Sequence, residues 1–73
     1  MKRQDAEALL RHVDEVIDAI DACGRVVVGI ADDAERKALT LALGTAAGEI
    51  TTGVFMHVTK QYPDLDPYAR RPR

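Results

Sequence analysis

Between Ala38 and Thr59 the chain carries one formal charge, Glu49. Read as a helix, this run has a line of apolar and small residues at Leu39, Leu43, Ala46, Ile50, Gly53 and His57, stepping alternately by four and three. Leu41, Phe55 and Val58 then point away from that line, so the helix is apolar on every side. Such a helix is buried on every side, and one neighbouring helix cannot cover it. Whatever this chain folds into must supply further cover for residues 38–59.

The segment before it has the same period. Leu9, Val13, Val16, Ile20, Cys23, Val27 and Ile30 again alternate steps of four and three, the seam spacing of helices packed side by side. Leu10, Ile17 and Gly24 widen that stripe on one flank, and Ala19 and Val26 on the other, while Arg11, Asp14, Glu15, Asp18 and Asp21 take the wet side. Val26-Val27-Val28 is β-branched and favours a strand locally. The seam nevertheless runs through Gly24 without losing register, and an isolated strand would have no partner. Asp32 and Glu35 have capping-box spacing, which starts a new helix after a turn near Ala31. Pro63 disfavours helical dihedrals at Tyr62 and ends it.

The expected fold is all-α: an antiparallel two-helix hairpin over residues 1–62, with helix 1 about 5–31 and helix 2 about 33–62. Residues whose numbers sum to about 63 should lie at the same height. Residues 63–73 are expected to form an extended or disordered tail, with Leu65 and Tyr68 available to fold back over a helix end.

The length of 73 residues makes the missing cover more pressing, because one core in so short a chain contributes only about 3–5 kcal/mol net. Disulfides, a structural metal or oligomerisation usually make up the difference. Cys23 is the only cysteine, and one cysteine with two histidines is a poor ligand supply for a closed zinc site. The expectation is therefore a homodimer forming a four-helix bundle. Leu39, Leu41, Leu43, Ile50, Val54, Phe55 and Val58 form its association interface, and Gly44, Ala47, Gly48, Thr51, Thr52 and Gly53 allow close approach. A membrane span would also cover helix 2, with Gly44 and Gly48 as a GxxxG contact. Its threonines, Glu49 and His57 weaken that reading.

The polar candidates are few. Glu49 lies at the height of His12, and a His12–Glu49 contact would satisfy a partly buried charge. With Glu15 added, the same residues offer a metal-binding bundle as an alternative; no metal and no cofactor are expected. His57 reads as a hydrogen-bonded seam residue and Cys23 as a small hydrophobe on the helix 1 seam. The chain has no serine and no phosphate-binding glycine loop, so no catalytic residue is assigned and an enzyme is not expected. A net charge of −2 disfavours nucleic acid, though Arg11, Arg25, Arg70, Arg71 and Arg73 keep a nucleic-acid-binding hairpin dimer as the other alternative.

The start of the chain does not run into an apolar signal region, and a cytoplasmic location is the expectation. In architecture alone, such a hairpin resembles the Rop-type dimeric four-helix bundle, which binds RNA. That resemblance implies no site residues here. The overall expectation is an association module, a homo-oligomer in a regulatory or adaptor role with a protein partner. Ile50→Asp, which puts a second charge into the helix 2 seam, should abolish helicity or assembly. Circular dichroism and a sizing column check it.

Overall fold

The computed structural model describes residues 1–66, which are helical throughout with no strand among them. Helix α1 spans Arg3–Val27 and helix α2 spans Asp33–Gln61, followed by one 3-10 turn at Pro63–Leu65. Helix α1 continues unbroken through Gly24 despite its β-branched end. It stops at Val27, short of the expected residue 31. Past Val27 the bonding tightens, with the Gly29 amide donating to Val26 O at 3.1 Å and the Ile30 amide to Val27 O at 3.0 Å. Gly29 lowers helix stability at this point, and Arg36 Nη1 donates to the freed Ile30 carbonyl at 2.8 Å. A cross-turn bond thus replaces the missing helical turn.

The start of α2 follows from its capping residues. Asp32 is extended, and its Oδ2 accepts the Glu35 amide at 2.8 Å. Asp33, in the first turn, accepts from both Arg36 (2.5 Å) and Lys37 (3.1 Å). Its negative charge also suits the positive helix end.

Ile50–Phe55 is a π-helical turn inside α2, and the sequence pattern explains it. The apolar residues shielded by the rest of the chain are Leu43 and Ala47 before the turn, Ile50, Val54 and Phe55 within it, and Val58 after it. An unbroken α-helix continuing the seam read from sequence would bring Gly53 and His57 inward. Val54 already continues the shielded line at α spacing; the wider turn slips the next position by one residue and brings in Val58 instead of His57, which is left exposed, as is Gly53. Leu39 and Ala46, on the earlier part of that seam, are exposed too.

On α1 the shielded line is Ala6, Leu10, Val13, Ile17, Ile20, Gly24 and Val27. Only half of the seam read from sequence (Val13, Ile20, Val27) coincides with it. Leu9, Val16 and Cys23 are exposed, each one position before a shielded residue. Leu9-Leu10, Val16-Ile17 and Cys23-Gly24 are adjacent small or apolar pairs, so spacing alone leaves open which member turns inward.

The chain returns to its starting end. Tyr62 Oη donates to the Met1 carbonyl at 2.5 Å, Arg3 pairs with Asp64 and also with Glu7 at 3.2 Å, and the Arg3 guanidinium lies 5.7 Å from the Tyr62 ring centre. These contacts leave a thin core. Among the described residues only Ala6, Val13, Val27 and Val58 are buried, and Val58 is the largest side chain fully enclosed.

Two outcomes test this account. Deleting Thr52 should convert the π turn to α-helix while keeping Val58 inward, with helicity preserved and thermal stability equal or higher. Val58→Ala, which truncates the largest enclosed side chain among the described residues, should cost about 2 kcal/mol in a thermal melt followed by circular dichroism.

Candidate association surface

The residues expected at an interface separate into three groups. Val58 is wholly enclosed by its own chain at 0% exposure, so it belongs to the internal core and not to a docking surface. Leu43, Ile50, Val54 and Phe55 are half-buried along the line that meets α1. Leu39 is 40% exposed and Leu41 is 72% exposed. The expected interface therefore mixed the inner seam with two outer positions, Leu39 and Leu41, because spacing identifies an apolar stripe and not the side of it that the neighbouring helix covers.

His12 and Glu49 do not meet. His12 Nδ1 lies 3.3 Å from Glu15 Oε2, one turn along the same helix, with both side chains exposed. Glu49 is exposed and, among the described residues, has no side-chain hydrogen bond or ion pair. Water solvates its carboxylate, so the expected buried polar contact has no charge to satisfy. His57 is exposed and accepts from Gln61 Nε2 at 3.1 Å, and Cys23 is an exposed free thiol.

Among the described residues no polar or charged side chain is buried, and no three of His, Cys, Asp and Glu are grouped so as to hold a metal ion. A reactive group is tuned by burial or by close charges. The Arg3 pKa is raised, first by its hydrogen bond to Asp64 and then by the Asp64 and Glu7 charges, against the opposing effect of desolvation. A raised arginine pKa only keeps an already permanent cation charged. Its stabilising effect is lost as pH rises through the folded-state value, far above any working pH.

What the surface offers is apolar, and it has two sides. Successive helix residues are about 100° apart. In two helices that run back along each other, residues one position before the shielded lines share one side of the pair; residues one position after share the other. The first side carries Leu9, Val16 and Cys23 from α1 with Leu39, Ala46 and Gly53 from α2, none of them charged, and further round it Asp5, His12, Glu35 and Glu49, which precede Ala6, Val13, Arg36 and Ile50. The second side holds a groove of about 440 Å³ in which Asp21, Arg25 and Val28 face Gly44 and Ala47. A neighbouring groove beside Val28 is lined by Lys37 and Leu41. Asp21, Arg25 and Lys37 edge these grooves, whose linings are otherwise largely apolar, with Val28 and Leu41 well exposed.

The clamp joining Met1, Arg3, Tyr62 and Asp64 was not anticipated, although 1 + 62 and 3 + 62 fall close to the height sum of 63. Residues 67–73, including Tyr68 and the arginines Arg70, Arg71 and Arg73, lie outside the described residues; Leu65 is half-buried. Comparison of the chain with family models, curated proteins and solved structures found no match.

Tyr62→Phe removes the bond to the Met1 carbonyl but keeps the ring. Amides of residues 5–8 should exchange with deuterium measurably faster in this variant, with those of residues 17–24 unchanged. Equal acceleration along all of α1 would mean that the clamp supports the whole helix and not only its end.

Proposed function

We propose that this protein works as an association module: an antiparallel helical hairpin that pairs with a second copy of itself as a dimeric four-helix bundle and acts through protein contacts in a regulatory or adaptor role. One observation carries the reading. Helix α2, Asp33–Gln61, is long and apolar enough to cross a membrane by length and composition, yet none of the residues in its most apolar stretch is buried by its own chain. Such a surface needs cover, and a second hairpin offers apolar surface of the same kind at no additional gene product. The four residues buried among those described are also a small core for independent stability.

A second reading rests on the same helix, which would be covered equally by lipid. Against it stand Glu49, exposed in mid-helix, and Thr40, Thr45, Thr51, Thr52 and Thr59 along its length. Metal binding through His12, Glu15 and Glu49 has less support, because His12 is engaged with Glu15 and away from Glu49. A nucleic-acid role would draw on Arg11 and Arg25, which share α1 with Asp14, Asp18 and Asp21. That mixture makes a poor electrostatic footprint.

The deciding measurement is solution mass by light scattering behind a sizing column, without detergent and with anionic vesicles in a parallel run. The expected result is twice the chain mass of 8.0 kDa, unchanged by the vesicles. A monomer that floats with the vesicles would favour the membrane reading.

A further inference from the structure

Of the two open sides of the helix pair, we propose that the one bearing Leu9, Val16, Cys23, Leu39, Ala46 and Gly53 receives the second copy, with α1 of each copy lying along α2 of the other about a two-fold axis parallel to the helices. The proposal rests on the homodimer reading above and adds to it the surface and the arrangement.

The surface follows from charge and extent. The other side sets Asp21, Arg25 and Lys37 around its grooves, and burying such charges requires partners for each. On the proposed side the positions nearest the shielded lines are uncharged along both helices, while Asp5, His12, Glu35 and Glu49 lie one further step round each helix and flank them. Polar margins around an apolar middle are the usual anatomy of an interface. From residue 5 to residue 26 the side runs about 32 Å, and two helices abreast are about 20 Å wide. The product, about 640 Å² in projection, approaches the roughly 800 Å² of accessible surface that each partner contributes to a standard interface.

The arrangement follows from side-chain size. Heights along the pair match residues whose numbers sum to about 63: Met1 meets Tyr62, and Ile20 shares its groove with Leu43. On the proposed side, Leu9 therefore lies level with Gly53, Val16 with Ala46 and Cys23 with Leu39. A two-fold parallel to the helices preserves height and exchanges left for right. It sets Leu9 over Gly53 of the second copy, Val16 over Ala46 and Leu39 over Cys23, so that a larger side chain faces a smaller one at every level. A two-fold perpendicular to the helices would instead stack α1 on α1 and α2 on α2. Val16 would then oppose Val16 while Ala46 opposed Ala46, which crowds one row and leaves a void in the other. Close packing disfavours both faults.

Cysteine pairing reads the arrangement directly, because a disulfide forms only where the Cβ atoms come within about 4.5 Å. With the natural Cys23 retained, Leu39→Cys should give a covalent dimer on mild oxidation, seen on a non-reducing denaturing gel, and Leu9→Cys should not. A covalent dimer from Leu9→Cys with none from Leu39→Cys would overturn the arrangement, since it requires α1 to lie on α1. An oxidised Leu39→Cys chain that runs only as a monomer would overturn it as well.

The surface is tested separately by two substitutions at exposed positions, with helicity checked by circular dichroism. Val16→Asp should halve the solution mass, and Leu41→Asp should leave it unchanged. The reverse pattern would place the second copy on the other side and refute the surface while leaving dimerisation intact. A wild-type chain that is itself monomeric in the same run would instead refute the homodimer reading on which the proposal stands.

Discussion

Everything in this structure depends on how little apolar surface two helices can hide from water. Each helix covers only the stripe that faces its neighbour, and here that contact encloses Ala6, Val13, Val27 and Val58. Three valines and an alanine exclude water from a narrow seam. At about 1.5–3 kcal/mol for a fully buried aliphatic side chain, their transfer is small against the cost of ordering more than sixty residues. It is this shortfall that the proposed pairing with a second copy would offset.

The π turn and the end clamp both answer to that shortage. Slipping the register at Ile50–Phe55 exchanges His57 for Val58 at the seam, and so provides the largest enclosed side chain among the described residues. The clamp is polar and exposed, so it holds the two chain ends together without adding to the core. Exposed ion pairs of the Arg3–Asp64 kind stabilise weakly. Its value lies in keeping α1 aligned beside the far end of α2, where Ala6 and Val58 are buried.

Much of the fold was legible in the sequence. The two helices, the turn near Asp32, its capping bond to Glu35 and the stop at Pro63 all follow from local chemistry that needs no tertiary information. What failed did so for one reason, that a period identifies a stripe and not its centre. Leu9, Val16 and Cys23 fit the seam by spacing as well as Leu10, Ile17 and Gly24 do, and only the position of the neighbouring helix separates them. The same limit misassigned Leu39, Ala46, Gly53 and His57 on α2, compounded by a register slip that no fixed repeat anticipates. The expected contact between His12 and Glu49 assumed that both faced the partner helix; each lies instead on the outer side, within reach of water.

The capped turn also bears on how fast the chain can fold. Its bonds join residues three to six apart: Glu35 to Asp32, Arg36 to Asp33, and Arg36 to Ile30. The clamp joins residues separated by 61 positions. Closing the short loops costs little chain entropy, whereas the long closure must wait until both helices exist. A folding path that starts at the turn and zips outward, with Met1 and Tyr62 meeting last, has the low contact order of proteins that fold in microseconds to milliseconds. For the dimer proposed above, association would then be the slow and concentration-dependent step.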